Sequence, residues 1–82
     1  MPRIATVRGV QIYMYFLDHP PPHFHAIKGD DEAVIEIGGG VIQGHLPRTE
    51  LRSVLEWSAV RTQELLIEWQ NGQLGRPINR VL

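Results

Sequence analysis

Three consecutive prolines, Pro20-Pro21-Pro22, constrain this chain more than any other feature. Proline lacks the backbone N–H and holds φ at about −65°, so three in a row fit neither a helix interior nor a sheet ladder. What lies before and after them must be separate elements, joined by a stiff, extended, polyproline-like connector. Before them the pattern is that of strands. Ile4 to Val7 is β-prone, Arg8-Gly9 can turn, and Val10, Ile12, Met14 and Phe16 share one face of the next run, with Gln11, Tyr13 and Tyr15 on the other. This period-two alternation is that of a strand with one face on a core.

After the prolines, His23 to Lys28 reads as a strand and Ala33 to Ile37 as its return, with a turn over Gly29 to Glu32 and Asp30-Asp31 at its tip. Gly38-Gly39-Gly40 turns again, and Val41 to His45 makes a short last strand. From Pro47 the period changes to that of a helix, since proline is accepted in a first helical turn. Leu51, Val54, Leu55, Ser58, Ala59, Thr62, Leu65, Leu66 and Trp69 fall on one side, and Asn71-Gly72 is a C-terminal stop. The expectation is an α+β domain: an antiparallel, meander-like sheet of four or five strands over 3–46, one long helix over 47–71, and a tail over 72–82.

The chain has 82 residues and no cysteine, which excludes disulfides and thiolate metal sites. A domain this small without staples often leans on self-association or a partner. With 43% hydrophobic residues it has the means for a core. No apolar run approaches the roughly 20 residues of a membrane span, and Met1-Pro2-Arg3-Ile4 lacks a signal peptide's apolar segment, so the expected compartment is the cytoplasm. A net charge of −1 with no basic run gives no support for strong non-specific nucleic-acid binding.

Two features carry the functional expectations. On the helix, Trp57, Val60, Glu64 and Ile67 line a side away from the core stripe, a surface for a second copy, most simply a homodimer, or for another protein. Around the prolines, Asp18-His19-Pro20-Pro21-Pro22-His23-Phe24-His25 concentrates three imidazoles. On a strand His23 and His25 project to one face and Phe24 to the other. A turn at Asp30-Asp31 pairs Lys28 with Ala33 and therefore His25 with Glu36. Asp18, His19, His23, His25 and Glu36 are the candidate ligands of a divalent transition metal such as zinc or nickel. The same histidines and Glu36 are candidates for acid–base catalysis, because imidazole titrates near neutral pH. The simplest alternative is that these histidines cap turns in a stiff loop. His45 reads as a loop residue, and the glycine triplet lacks the lysine and hydroxyl of a phosphate-binding loop.

The ordering of these motifs resembles a known family. Met1-Pro2-x-Ile4, Gly9, Met14-Tyr15-Phe16, Asp18-His19-x-Pro21-Pro22-His23-Phe24-His25, Ala33 to Ile37, Gly44-x-Leu46-Pro47, Val54 to Trp57, Glu64 to Leu66 and Trp69 together resemble the bacterial domain-of-unknown-function family 4160. The likeness covers almost the whole chain, with Pro20 a departure where other residues are common. It implies a small bacterial protein with no firmly assigned activity, encoded beside a member of domain-of-unknown-function family 2442. It further implies a role in a toxin–antitoxin-like or regulatory pair. The leading expectation is thus an interaction module. The alternative is a metal- or histidine-dependent nuclease toxin using the histidine–proline segment. A DNA-binding autoregulator would need a basic face that only a folded dimer could build.

Overall fold

The computed structural model describes residues 2–82, so the Met1 end of the opening motif lies outside the described residues. Five strands, β1 (Arg3–Val7), β2 (Val10–Tyr13), β3 (His23–Lys28), β4 (Asp31–Glu36) and β5 (Val41–Gly44), pair in sequence order as an antiparallel meander. Helices α1 (Arg48–Ala59) and α2 (Thr62–Gln73) follow, giving an α+β fold. At the first turn Arg8 and Gly9 both take positive φ, the conformation that lets a two-residue loop follow the twist of its strands.

One face of the sheet makes the core. Val10, Ile12, Met14, Phe24, Ala26, Ala33, Ile35 and Ile37 are buried together with Val54 of α1 and with Leu65 and Trp69 of α2. Phe24 is fully buried, and truncating such a side chain to alanine costs about 3–5 kcal/mol. Phe16, expected on this face, is exposed, because β2 ends at Tyr13 and the chain leaves the sheet before reaching it. The C-terminal segment returns to cover β1, with the Val81 N–H donating to the Ile4 carbonyl at 2.8 Å.

The expected single helix is two helices. Val60 and Arg61 leave helical geometry, Arg61 with φ −124° and ψ 19°. In an unbroken helix the Arg61 N–H would bond the Trp57 carbonyl four residues back. Here that N–H donates to Ser58 instead, and the Arg61 guanidinium takes the Trp57 carbonyl at 2.8 Å. The same guanidinium donates to the Leu82 backbone oxygen at 2.8 Å and lies 5.4 Å from the Trp57 ring centre. A cation at the end of α1 also suits the helix dipole. The buried stripe keeps one phase across the break, through Val54, Ser58, Leu65, Trp69 and Gly72, and Ala59 and Leu66, expected on the core side, lie at its flank and are exposed.

The expected outer stripe is divided. Trp57 turns inward and meets Phe24 edge-on at 6.0 Å between ring centres. Val60, Glu64 and Ile67 remain exposed.

Candidate metal centre

The strand turn that sets the site falls one position earlier than the sequence reading had it. Gly29 and Asp30 form the loop, Lys28 pairs with Asp31, and Gly29 takes a positive φ of 59°. His23 is therefore opposite Glu36, and His25 opposite Val34. The register differs from the expected one by two residues. Side-chain direction alternates with period two, so an even shift leaves His23, His25 and Glu36 on the expected common face, away from the core.

Loop 17–22 brings the third element onto that face. The connector is not extended but folds back: Leu17 takes a positive φ of 55°, and Asp18 lies against both histidines. The end of α2 holds the loop there. The Leu17 N–H donates to the Gly72 carbonyl at 3.3 Å, and Gln73 Nε2 donates to the Asp18 carbonyl at 2.8 Å. Gly72 itself packs closely on the C-terminal segment, where an added Cβ would stand 3.0 Å from the end of the Ile78 side chain. The Ile37 N–H donates to Pro22 at 2.9 Å and ties the loop to the end of β4.

The ring nitrogens divide into two sets. His23 Nδ1 lies 2.6 Å from the Pro21 carbonyl, which can only accept, so Nδ1 carries the hydrogen. His25 Nδ1 lies 3.0 Å from Glu32 Oε2. Both Nε2 atoms then face one carboxylate oxygen, Asp18 Oδ2, at 2.9 Å from His23 and 3.4 Å from His25. One ligand atom from each of Asp18, His23 and His25 lies within 4.8 Å of the others. Aromatic neighbours fix the rings: Trp69 stands 5.1 Å from His23, and Tyr15 meets His25 edge-on at 4.5 Å. His23 is buried, while His25 and Asp18 are each about one-sixth exposed in their side chains.

Partial burial works to raise the Asp18 pKa. The His19 N–H and the side chains of His25 and His23 outweigh it and hold the carboxyl below its ordinary value. Tyr15 is pushed above its ordinary value, first by burial and then by the charges of Glu32, Tyr13 and Asp18. A cavity of about 110 Å³ adjoins the cluster, walled by Pro20, Pro21, Val34, Ile42 and Gln43 as well as the ligand side chains. A larger hollow of about 350 Å³ lies elsewhere, between the glycine turn and the α1–α2 junction, and is lined by no titratable side chain.

Of the predicted ligands, Asp18, His23 and His25 converge. His19 sits on the rim, its ring 88% exposed and its Nδ1 3.0 Å from Asp18 Oδ1. Glu36 does not join: its carboxylate lies against Gly39, where an added Cβ would be 3.0 Å from Oε1. Glu32 takes the acidic place instead, diagonal to His25 across the β3–β4 pair. The sequence reading missed Glu32, although Gly29 as the left-handed turn residue carries the register that selects it. It also missed Tyr15, which shares the histidine face by parity, and Gln73, whose role depends on tertiary packing. His45 stands apart, exposed, 3.5 Å from Asp31.

The fold and site together define a small α+β protein bearing an Asp-His-His cluster on the face of a β-meander turned away from its core. The chain belongs to the family described as Domain of unknown function (DUF4160), whose model matches residues 9–70. That span takes in Asp18, His23, His25 and Glu32, and leaves out β1 and the C-terminal segment. Nothing matches among curated proteins or solved structures.

Proposed function

We propose that this protein binds a divalent transition-metal ion, zinc or nickel, through Asp18 Oδ2 and the Nε2 atoms of His23 and His25. One observation carries the reading. Each imidazole has Nδ1 on an acceptor and its Nε2 turned to the same carboxylate oxygen, a place that only a proton or a metal ion on each Nε2 makes favourable. Lone pairs facing an anion need a positive charge between them. Two added protons would supply it by making two imidazolium rings with centres 5.2 Å apart. One cation supplies it for all three groups. Metal-bound histidines usually donate their other ring N–H to a carbonyl or carboxylate, which fixes the tautomer, and Pro21 and Glu32 stand in those places. Imidazole with carboxylate suits zinc and nickel.

Calorimetric titration of metal-free protein with zinc tests this. The expected result is one ion per chain, with affinity reduced at least about tenfold in Asp18→Asn and His25→Ala while circular dichroism stays native. Folded wild-type protein that takes up neither zinc nor nickel would leave the rings to protons and overturn the reading.

A second reading, an interaction module, has its own observation. Val60 and Ile67 are 78% and 59% exposed, with the exposed Glu64 between them in sequence. A second copy or the family 2442 protein is the partner to test. Ile67→Lys should abolish the association in analytical ultracentrifugation without altering zinc uptake, and association unchanged by Ile67→Lys and Val60→Lys would count against this surface.

A further inference from the structure

Building on the metal-binding reading, we propose that His19 is the fourth ligand and swings onto the ion when it binds, closing the coordination sphere as three histidines and one aspartate. Three protein ligands leave a tetrahedral ion one position short, which is the arrangement of catalytic sites; four close it, which is the arrangement of structural sites. His19 is the remaining nitrogen donor on the wall of the cavity beside Asp18, His23 and His25. Its ring centre is 5.8 Å from that of His23. Little holds the ring where it is. It is 88% exposed, and among the described residues its ring makes one polar contact, Nδ1 to Asp18 Oδ1. Rotating an exposed ring about its side-chain torsions is a low-barrier motion.

Asp18 is prepared for the change. Its two oxygens have separate tasks: Oδ2 faces His23 and His25, while Oδ1 accepts the His19 backbone N–H at 2.9 Å. That backbone bond survives when the ring leaves, so the carboxylate keeps its aim. The ring's departure releases only a contact between neighbouring residues. In the loaded state the ion ties the loop before the prolines to β3, and it leaves no position for a hydrolytic water. The ion's role is then to organise the protein, in contrast to the nuclease expectation from sequence.

Cobalt(II) substitution tests the ligand count. The wild-type adduct should show the intense visible bands of a tetrahedral ion, with three imidazoles by X-ray absorption. His19→Ala should show weak bands of higher coordination, two imidazoles, and zinc affinity lowered at least about tenfold. His45→Ala, which removes an exposed histidine outside the cluster, should match wild type. If His19→Ala retains the wild-type spectrum, imidazole count and affinity, the proposal fails and the three-ligand reading stands. If wild-type protein binds none of cobalt, zinc and nickel, both fail.

Discussion

Replacing Arg61 with alanine should destabilise the protein by about 2 kcal/mol, although the residue lies outside the core. The guanidinium makes a charge-assisted bond to the Trp57 carbonyl at the end of α1, and such bonds contribute about 1.5–3 kcal/mol when shielded. This one is only partly buried, so the lower end applies. The bond to Leu82 is exposed and adds little. Stacking over the Trp57 indole adds about 0.5–1 kcal/mol. For a domain of this length 1 kcal/mol moves Tm by roughly 4–8 °C, so Arg61→Ala should melt about 8–16 °C lower. Arg61→Lys should fall between the two, because an ammonium lacks the planar fork that serves two carbonyls and a ring. Urea unfolding followed by tryptophan fluorescence measures all three proteins. An Arg61→Ala midpoint within about 0.5 kcal/mol of wild type, the range of ordinary surface changes, would refute the account of the helix break.

The two carboxylates on the histidine face should separate cleanly. Glu32→Gln should lower zinc affinity by about 10–100-fold, and Glu36→Gln should leave it unchanged, both read by calorimetry. Gly44→Ala should unfold β5, since Gly44 has φ +73° and an added Cβ would collide with the Glu32 carbonyl oxygen; loss of amide protection over Val41–Gly44 checks it. In metal-free protein, Asp18 has its folded pKa below the unfolded value of about 3.9. Its contribution to stability is full above that unfolded value and is lost as pH falls through the lower folded one. The acid limb of urea midpoints should therefore be shallower in Asp18→Asn than in wild type, and coincident limbs would contradict the placement of Asp18 against His19, His23 and His25.

The sheet was legible because its signals are local. Alternation in Val10–Tyr13 and His23–Lys28 marks the strands, and glycine at positions 9 and 29 marks their turns. The common face of His23 and His25 also followed, because alternate residues of one strand point the same way whatever the register, and Glu36 stayed on it because the register error was an even one. The choice of acid did not, because parity treats Glu32 and Glu36 alike and only the true register separates them. The helix break was hidden for another reason: it contains neither glycine nor proline. One arginine makes it by reaching a carbonyl of its own helix and the far end of the described chain. The placement of Asp18 was equally invisible, since Gln73, 55 positions away in sequence, holds its backbone. Where a side chain acts through local periodicity the chain declares it. Where it acts through a single long-range bond, only the folded arrangement reveals it.

The most direct measurement is a crystal structure of the protein grown with zinc, with anomalous data collected on both sides of the zinc absorption edge. The account predicts one anomalous peak per chain at about 2.0–2.1 Å from Nε2 of both His23 and His25, with Asp18 Oδ2 as a further ligand. Their Nδ1 atoms should remain on Pro21 and Glu32. A peak on the Nδ1 side of either ring, or crystals with no zinc at the cluster, would contradict it.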